Sequence, residues 1–206
     1  MTIDEMMRLA PVIPVLVIED DIDPVALAEA LVEGGLPVIE VTLRTPGALP
    51  AMRAMARVEG AVVGAGTVLN DAMLRIAIDA GACFVVSPGL TDPLARAATA
   101  SGIPFLPGVA NAGDIMRGLD HGLKRFKFFP AEANGGLAAF KALAGPFGDI
   151  RFCPTGGIRA NTAAEWLAHP SVLCVGGSWI LPAGERDMAA VTARARTAAG
   201  LPRALA

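Results

Sequence analysis

The chain is poor in lysine, histidine and tyrosine. Of its 206 residues three are lysine (Lys124, Lys127 and Lys141) against fourteen arginines, two are histidine and none is tyrosine. Few side chains are therefore left to act as an amine nucleophile or as a base near neutral pH. Cysteine is sparse too. Cys83, Cys153 and Cys174 each sit in an apolar run, and an odd number argues against a disulfide framework. A reduced, cytoplasmic setting is expected. No run of about eighteen uncharged apolar residues occurs, so no membrane span is expected. Residues 1–11 carry acids early and no apolar stretch, which does not read as a secretory leader. The net charge is -3 and no lysine or arginine cluster tracks a face, so nucleic acid is not an expected partner. No HxH, HExxH or CxxC spacing is present, and neither a metal nor a cofactor is expected. His121 and His169 read as surface loop residues, away from any site.

What is present is an apolar, regularly built chain. Hydrophobic residues make up 53% and charged residues 18%, which suits one domain over residues 1–206 with a full core. Eight short apolar runs recur, at 12–18, 38–43, 62–68, 84–87, 104–107, 126–129, 150–155 and 172–176. They are continuous rather than alternating, as parallel strands buried on both faces require. Alanine-rich helical stretches separate them. Asp23-Pro24, Thr45-Pro46 and Asp92-Pro93 pair a capping residue with proline at the first helical position, and Asn70 and Asn161 can cap two more. Gly34-Gly35, Gly81, Gly102 and Gly122 stand where helices should stop. A last helix is expected over 188–199. Residues 2–9 read as a short helix across the closed end. Eight βα units of about 25 residues predict a single (β/α)8 TIM barrel with a short N-terminal helix. An open doubly-wound sheet is disfavoured, because no G-x-G-x-x-G follows the first run.

In such a barrel the site forms at the carboxyl ends of the strands. Lys127 lies near the end of the sixth run, in Arg125-Phe126-Lys127-Phe128-Phe129-Pro130. Alternation sends Phe126 and Phe128 one way and Lys127 with Phe129 the other. If the phenylalanines face the helices, Lys127 faces the interior, where burial should depress its pKa. At the reference value of about 10.4, roughly one lysine in two thousand is neutral at pH 7, so depression supplies the neutral amine a Schiff base needs. The alternative is a purely structural pair with Glu40. Lys124 and Lys141 should be solvated.

Glu40, Thr42 and Arg44 share one side of the second run. At about 3.3 Å per residue, Glu40 and Arg44 lie roughly 13 Å apart. Arg44 can hold a carboxylate with its fork, and Glu40 can move protons beside Lys127. A buried network of Glu40, Arg44 and Lys127 is the alternative. Runs seven and eight end in Thr155-Gly156-Gly157 and Gly176-Gly177-Ser178, where backbone N–H groups can approach a phosphate. Thr67 ends the third run and can bond a carboxylate. Ser87-Pro88-Gly89 and Leu106-Pro107-Gly108 end the fourth and fifth, equally readable as turn chemistry.

Six segments carry a family resemblance. They are Glu40-Val41-Thr42-Leu43-Arg44-Thr45, Gly64-Ala65-Gly66-Thr67-Val68, Ser87-Pro88-Gly89, Phe126-Lys127-Phe128-Phe129-Pro130-Ala131-Glu132, Cys153-Pro154-Thr155-Gly156-Gly157-Ile158 and Gly176-Gly177-Ser178-Trp179. In this order, over about residues 10–182, the chain resembles the 2-keto-3-deoxy-6-phosphogluconate (KDPG) aldolases. The resemblance implies Schiff-base cleavage of a phosphorylated keto acid, possible action on 4-hydroxy-2-oxoglutarate, and a homotrimer. It implies Lys127 as the Schiff-base lysine and Glu40 as acid and base. Arg44 and Thr67 would surround the carboxylate, and Pro88, Phe129 and Thr155 would line the pocket. Gly156, Gly157, Gly177 and Ser178 would bind phosphate. The chain departs from the family pattern at Val109-Ala110-Asn111-Ala112, where many relatives carry Ser or Thr, and at Ile18-Glu19-Asp20, where they often carry basic residues. Three other readings stay open: the phosphogalactonate epimer as substrate, a phosphate-binding barrel isomerase, and a non-catalytic phosphometabolite-binding barrel.

Overall fold

Capping side chains open most of the helices, and prolines and glycines set where strands stop. The computed structural model describes residues 1–19 and 21–204, so Asp20 lies outside the described residues. The chain runs α1 (Ile3–Arg8), β1 (Val12–Leu16), α2 (Pro24–Glu33), β2 (Val38–Thr42), α3 (Ala48–Met55) and β3 (Val62–Gly66). It continues α4 (Asp71–Asp79), β4 (Val85–Val86), α5 (Asp92–Ser101), β5 (Phe105–Leu106), β6 (Gly108–Val109) and α6 (Ala112–Asp120). Then come β7 (Arg125–Phe128), α7 (Gly136–Ala144), β8 (Arg151–Phe152), α8 (Ala163–Leu167), β9 (Val175–Gly177), a 3-10 turn (Ser178–Ile180) and α9 (Met188–Ala199).

The Asp23 side chain accepts from the Val25 and Ala26 N–H groups, with Pro24 in the first turn of α2. Asn70 accepts from Met73 N–H at the start of α4. Two expected caps are displaced. Thr91, not Asp92, accepts from Leu94 N–H and opens α5. Thr45 does not cap α3, which starts at Ala48 after Gly47 without a side-chain cap. The turn there uses the Thr45 carbonyl, which accepts from Ala48 N–H at 3.2 Å. Asn161 also fails to cap; Thr162 precedes α8, and its hydroxyl accepts from Arg159 N–H at 3.0 Å.

All strand pairs are parallel. One sheet has the order β5-β4-β3-β2-β1-β9, and a second the order β6-β7-β8. The molecule is an α/β fold on a curled sheet of parallel strands. The fifth predicted run is divided at Pro107, which has no N–H to give to a ladder. The seventh and eighth runs pair mainly through single bridges, Phe152 with Val172 and Thr155 with Gly176.

Alternation along the strands divides the core into two layers. Val12, Leu16, Ile39, Val41, Phe126 and Phe128 join the larger cluster with the helices. Phe140 of α7 anchors it, with ring centroids 5.4 Å from Phe128, 5.1 Å from Phe152 and 5.5 Å from Trp166. Each such pair adds about 0.5–1.5 kcal/mol beyond area burial. A second cluster holds Ile13, Val38, Phe84, Leu106, Cys153 and Leu173, closed off by Met6 and Met7 of α1. The short first helix thus plugs the amino-terminal end of the strands. Its Thr2 cap and Glu5 form a reciprocal capping box, which holds a six-residue helix that length alone would not sustain.

Candidate active site

Lys127 and Glu40 meet inside the curled sheet. Lys127 comes from β7, whose neighbours Phe126 and Phe128 turn outward into the aromatic cluster. Glu40 comes from β2. The Lys127 Nζ donates to Glu40 Oε1 at 3.0 Å and to Oε2 at 3.2 Å. Glu40 is 3% exposed and Lys127 5%. Leaving either charge there alone would cost several kcal/mol, so the two depend on each other. Gly66 in β3 makes room: a Cβ at that position would overlap the Glu40 carboxylate. The Lys127 ammonium also stands 5.4 Å from the centroid of the Phe129 ring.

Arg44 is not part of this pair. Its Nε donates to the Thr67 hydroxyl at 3.2 Å, and its side chain is exposed at the strand tips. Thr67 has φ 60°, in the left-handed region that a β-branched residue rarely enters. The two residues expected around a carboxylate are thus hydrogen-bonded to each other. Thr42 is buried, and its hydroxyl donates to the Leu16 carbonyl at 2.7 Å, so it ties β2 to the end of β1.

The glycine-rich ends flank the pair. Gly156 and Gly157 both have positive φ, of 102° and 81°. A Cβ on Gly156 would lie 3.3 Å from the Phe129 ring, and one on Gly157 would lie 2.7 Å from Glu132 Cβ. Glu132 is a residue the sequence reading missed in this role. Its N–H donates to the Gly156 carbonyl at 3.0 Å, and its carboxylate accepts from Trp166 Nε1 at 2.9 Å. The loop after β7 is thereby fastened to the loop after β8. Thr155 is buried, and its N–H donates to the Phe128 carbonyl at 2.9 Å. A Cβ on Gly177 would meet the Trp179 ring, so this glycine has a packing reason besides any ligand. Pro88 is half-buried, and its carbonyl packs where a Gly108 side chain would stand. Ser87 spends its hydroxyl on the Gly89 carbonyl at 2.6 Å, as turn chemistry.

A cavity of about 560 Å³ opens beside these loops. Gly157 and Ser178 line it, with Val15, Arg159, Trp179 and Arg186 among others. Lys127 and Glu40 are not in its lining. Val15, however, is the register partner of Glu40 across β1 and β2. Partners in a parallel pair point to the same face, so the cavity opens on the face that carries Glu40. Two segments frame its rim. Arg186 pairs with both Glu19 and Asp21, and these carboxylates raise its pKa above the usual guanidinium range. Glu19, in the Ile18-Glu19-Asp20 segment singled out above, therefore serves a rim ion pair. The other departure is also absorbed locally, since Asn111 caps α6 by accepting from Asp114 N–H at 3.0 Å.

The remaining titratable groups lie elsewhere. Lys124 and Lys141 are exposed. Both histidines lie in turns between elements, as expected, but they are half-buried rather than at the open surface. His121 Nε2 is 3.2 Å from Asp92, and His169 packs its ring 5.1 Å from Phe140 while its Nδ1 accepts from Ser171 N–H. Burial, and then the charge of Lys141, lower the His169 pKa. Among the described residues no group of three or more His, Cys, Asp or Glu is placed to hold a metal ion.

The geometry has counterparts in known proteins. The family model described as KDPG and KHG aldolase matches residues 3–194. The 2-dehydro-3-deoxy-phosphogluconate aldolase of Zymomonas mobilis subsp. mobilis is 60% identical, over 98% of this chain and 97% of its own. A crystal structure of the KDPG aldolase of Zymomonas mobilis ZM4 with 3-phosphoglycerate superposes with a TM-score of 0.97 at 60% identity, covering 99% of this chain and 98% of that one. The Legionella pneumophila KDPG aldolase, with pyruvate captured as a covalent carbinolamine, gives 0.93 at 41% identity, covering 97% of this chain and 99% of that one. With the match running from the first helix to the last, this chain belongs to the KDPG and KHG aldolase family.

Proposed function

We propose that this chain is a class I aldolase that cleaves KDPG to pyruvate and glyceraldehyde 3-phosphate, with Lys127 as nucleophile and Glu40 as proton carrier. The observation that carries the reading is the two-oxygen contact between Lys127 Nζ and Glu40, sealed inside the strands. Proton transfer along that contact leaves a neutral amine beside a neutral carboxylic acid. The amine attacks the C2 ketone to give a carbinolamine, and Glu40 returns the proton as water leaves. The iminium then draws electrons from the C3–C4 bond as the Glu40 carboxylate takes the C4 hydroxyl proton. The aldehyde departs, and Glu40 returns that proton to C3 of the enamine left on Lys127. Hydrolysis releases pyruvate and restores the amine.

Arg44 and Thr67 hold the carboxylate, while Pro88, Phe129 and Thr155 shape the pocket around the keto group. Gly156, Gly157, Gly177 and Ser178 receive the phosphate. Anchoring a long substrate by its carboxylate at one end and its phosphate at the other places C2 beside Lys127, and such positioning supplies a large share of the rate. Membership of the KDPG and KHG aldolase family supports 4-hydroxy-2-oxoglutarate as a second substrate, cleaved to pyruvate and glyoxylate.

The reading extends to the architecture. Residues 1–206 form one domain, and the two sheets complete a single (β/α)8 barrel. The bridges between the seventh and eighth runs, and the Lys127 N–H that donates to the Pro107 carbonyl at 2.8 Å where β5 gives way to β6, support closure. The family likeness supports a homotrimer. The free state of Cys83, Cys153 and Cys174 supports a cytoplasmic location, and no described helix is long and apolar enough to cross a membrane.

Pyruvate with borohydride tests the mechanism. Mass spectrometry is expected to find the reduced adduct on Lys127. No adduct, or an adduct on Lys124 or Lys141, refutes the assignment.

A further inference from the structure

Two guanidinium groups line the cavity beside Gly157 and Ser178, and their situations differ. Arg186 is held by two carboxylates, Glu19 and Asp21, so its charge is already answered. Arg159 has no ion-pair or hydrogen-bond partner for its guanidinium among the described residues. Its backbone, by contrast, is fixed. Its N–H donates to the Thr162 hydroxyl at 3.0 Å, and its carbonyl accepts from Thr162 N–H at 3.0 Å and Ala163 N–H at 2.9 Å. A rooted backbone with an unanswered cation, two residues beyond Gly157, presents a fork to whatever anion occupies that end of the cavity. Glu19 is the one carboxylate in the same lining, and Arg186 engages it.

We propose that Arg159 is a specificity-determining residue that reads the phosphate of the substrate from the rim, adding a charged fork to the backbone N–H groups of the glycine loops. The proposal rests on the aldolase reading for its substrate, but not for its anion. It predicts that Arg159 acts on binding of the phosphorylated end and leaves the Schiff-base chemistry untouched. A dianion gains from a second cation source because backbone dipoles alone carry only partial charge.

The test compares wild type with Arg159→Gln and Arg159→Lys, after thermal melts confirm that these exposed substitutions leave the fold intact. For KDPG, Arg159→Gln should raise KM about five- to twentyfold with a smaller change in kcat, in keeping with loss of a partly solvated charged hydrogen bond. For 4-hydroxy-2-oxoglutarate, which has no phosphate, kcat/KM should stay unchanged. Arg159→Lys should recover part of the KM, since it keeps the charge and loses the fork. Equal losses on both substrates, or no change on KDPG, overturn the proposal. Inorganic phosphate binding by calorimetry gives an arm independent of turnover. Weaker binding by Arg159→Gln supports the proposal even if pyruvate trapping at Lys127 fails. Equal binding by the two proteins, or none by wild type, refutes it even if trapping succeeds.

Discussion

The Nζ of Lys127 reaches both carboxylate oxygens of Glu40, at 3.0 and 3.2 Å, across 87 positions of sequence. Among the described residues each is the other's only ion-pair partner, and both are buried. Lys127→Met alone should therefore lower stability by about 3 kcal/mol, because it strands a buried acid. Adding Glu40→Leu should recover most of that loss, giving a non-additive cycle in denaturant melts. Glu40→Gln keeps the volume and removes the proton carrier. Its kcat should fall by about 10²–10⁴-fold, the usual worth of general acid–base catalysis, while slow pyruvate trapping persists.

Gly66 sets where Glu40 points. Gly66→Ala places a methyl group against the carboxylate, with strand backbone behind it on β3. The carboxylate must then swing off Lys127. Overpacking of this kind costs about 1–3 kcal/mol, and the lost alignment should cut kcat by about 10²-fold with little change in KM. A variant that melts lower but turns over normally would show that Glu40 has no need of its present position.

Much of this site was legible in the residue order, and the reason is periodicity. The alternation in Phe126-Lys127-Phe128 sends the phenylalanines into the helix layer and leaves the lysine inside. The spacing of Glu40 on β2 placed it on the facing interior surface. Local choices between equivalent residues were not legible. Thr91 and Asp92 can both cap a helix, and the extended φ/ψ of Thr91, −124° and 148°, decides it. Thr45-Pro46 has the composition of a cap, yet the chain turns through the Thr45 carbonyl and leaves its hydroxyl buried without a hydrogen-bond partner among the described residues. Nor does spacing reveal that Glu132 fastens to Trp166, 34 positions on, or that Arg186 pairs back to Glu19 and Asp21. Such contacts depend on how the loops fall together in space.

Thr67 combines strain with a hydrogen bond. Its φ of 60° disfavours a β-branched side chain, and its hydroxyl accepts from Arg44. Thr67→Gly should relieve strain of about 1 kcal/mol, so the melting temperature should hold or rise slightly. The same change frees Arg44. KM for the keto acid should increase several-fold while pyruvate trapping at saturation is retained. A fall in stability with an unchanged KM would mean that the hydroxyl serves the fold and not the carboxylate.

His169 gives the fold a pH dependence whose sign is set by its surroundings. Burial against Phe140 and the charge of Lys141 hold its pKa below the ordinary 6.5. As pH falls below about 6.5, the unfolded chain takes up this proton before the folded chain does. The contribution of His169 to stability is therefore complete above that value and is lost as pH falls through the lower, folded value. His169→Asn removes the titration and the ring contact together. Its melting temperature should lie below wild type at pH 7.5, and the gap should narrow toward pH 5. Comparing the two curves cancels the carboxylates that both proteins share. Curves that stay parallel across this range would mean that the folded protein binds a proton at His169 as readily as the open chain does.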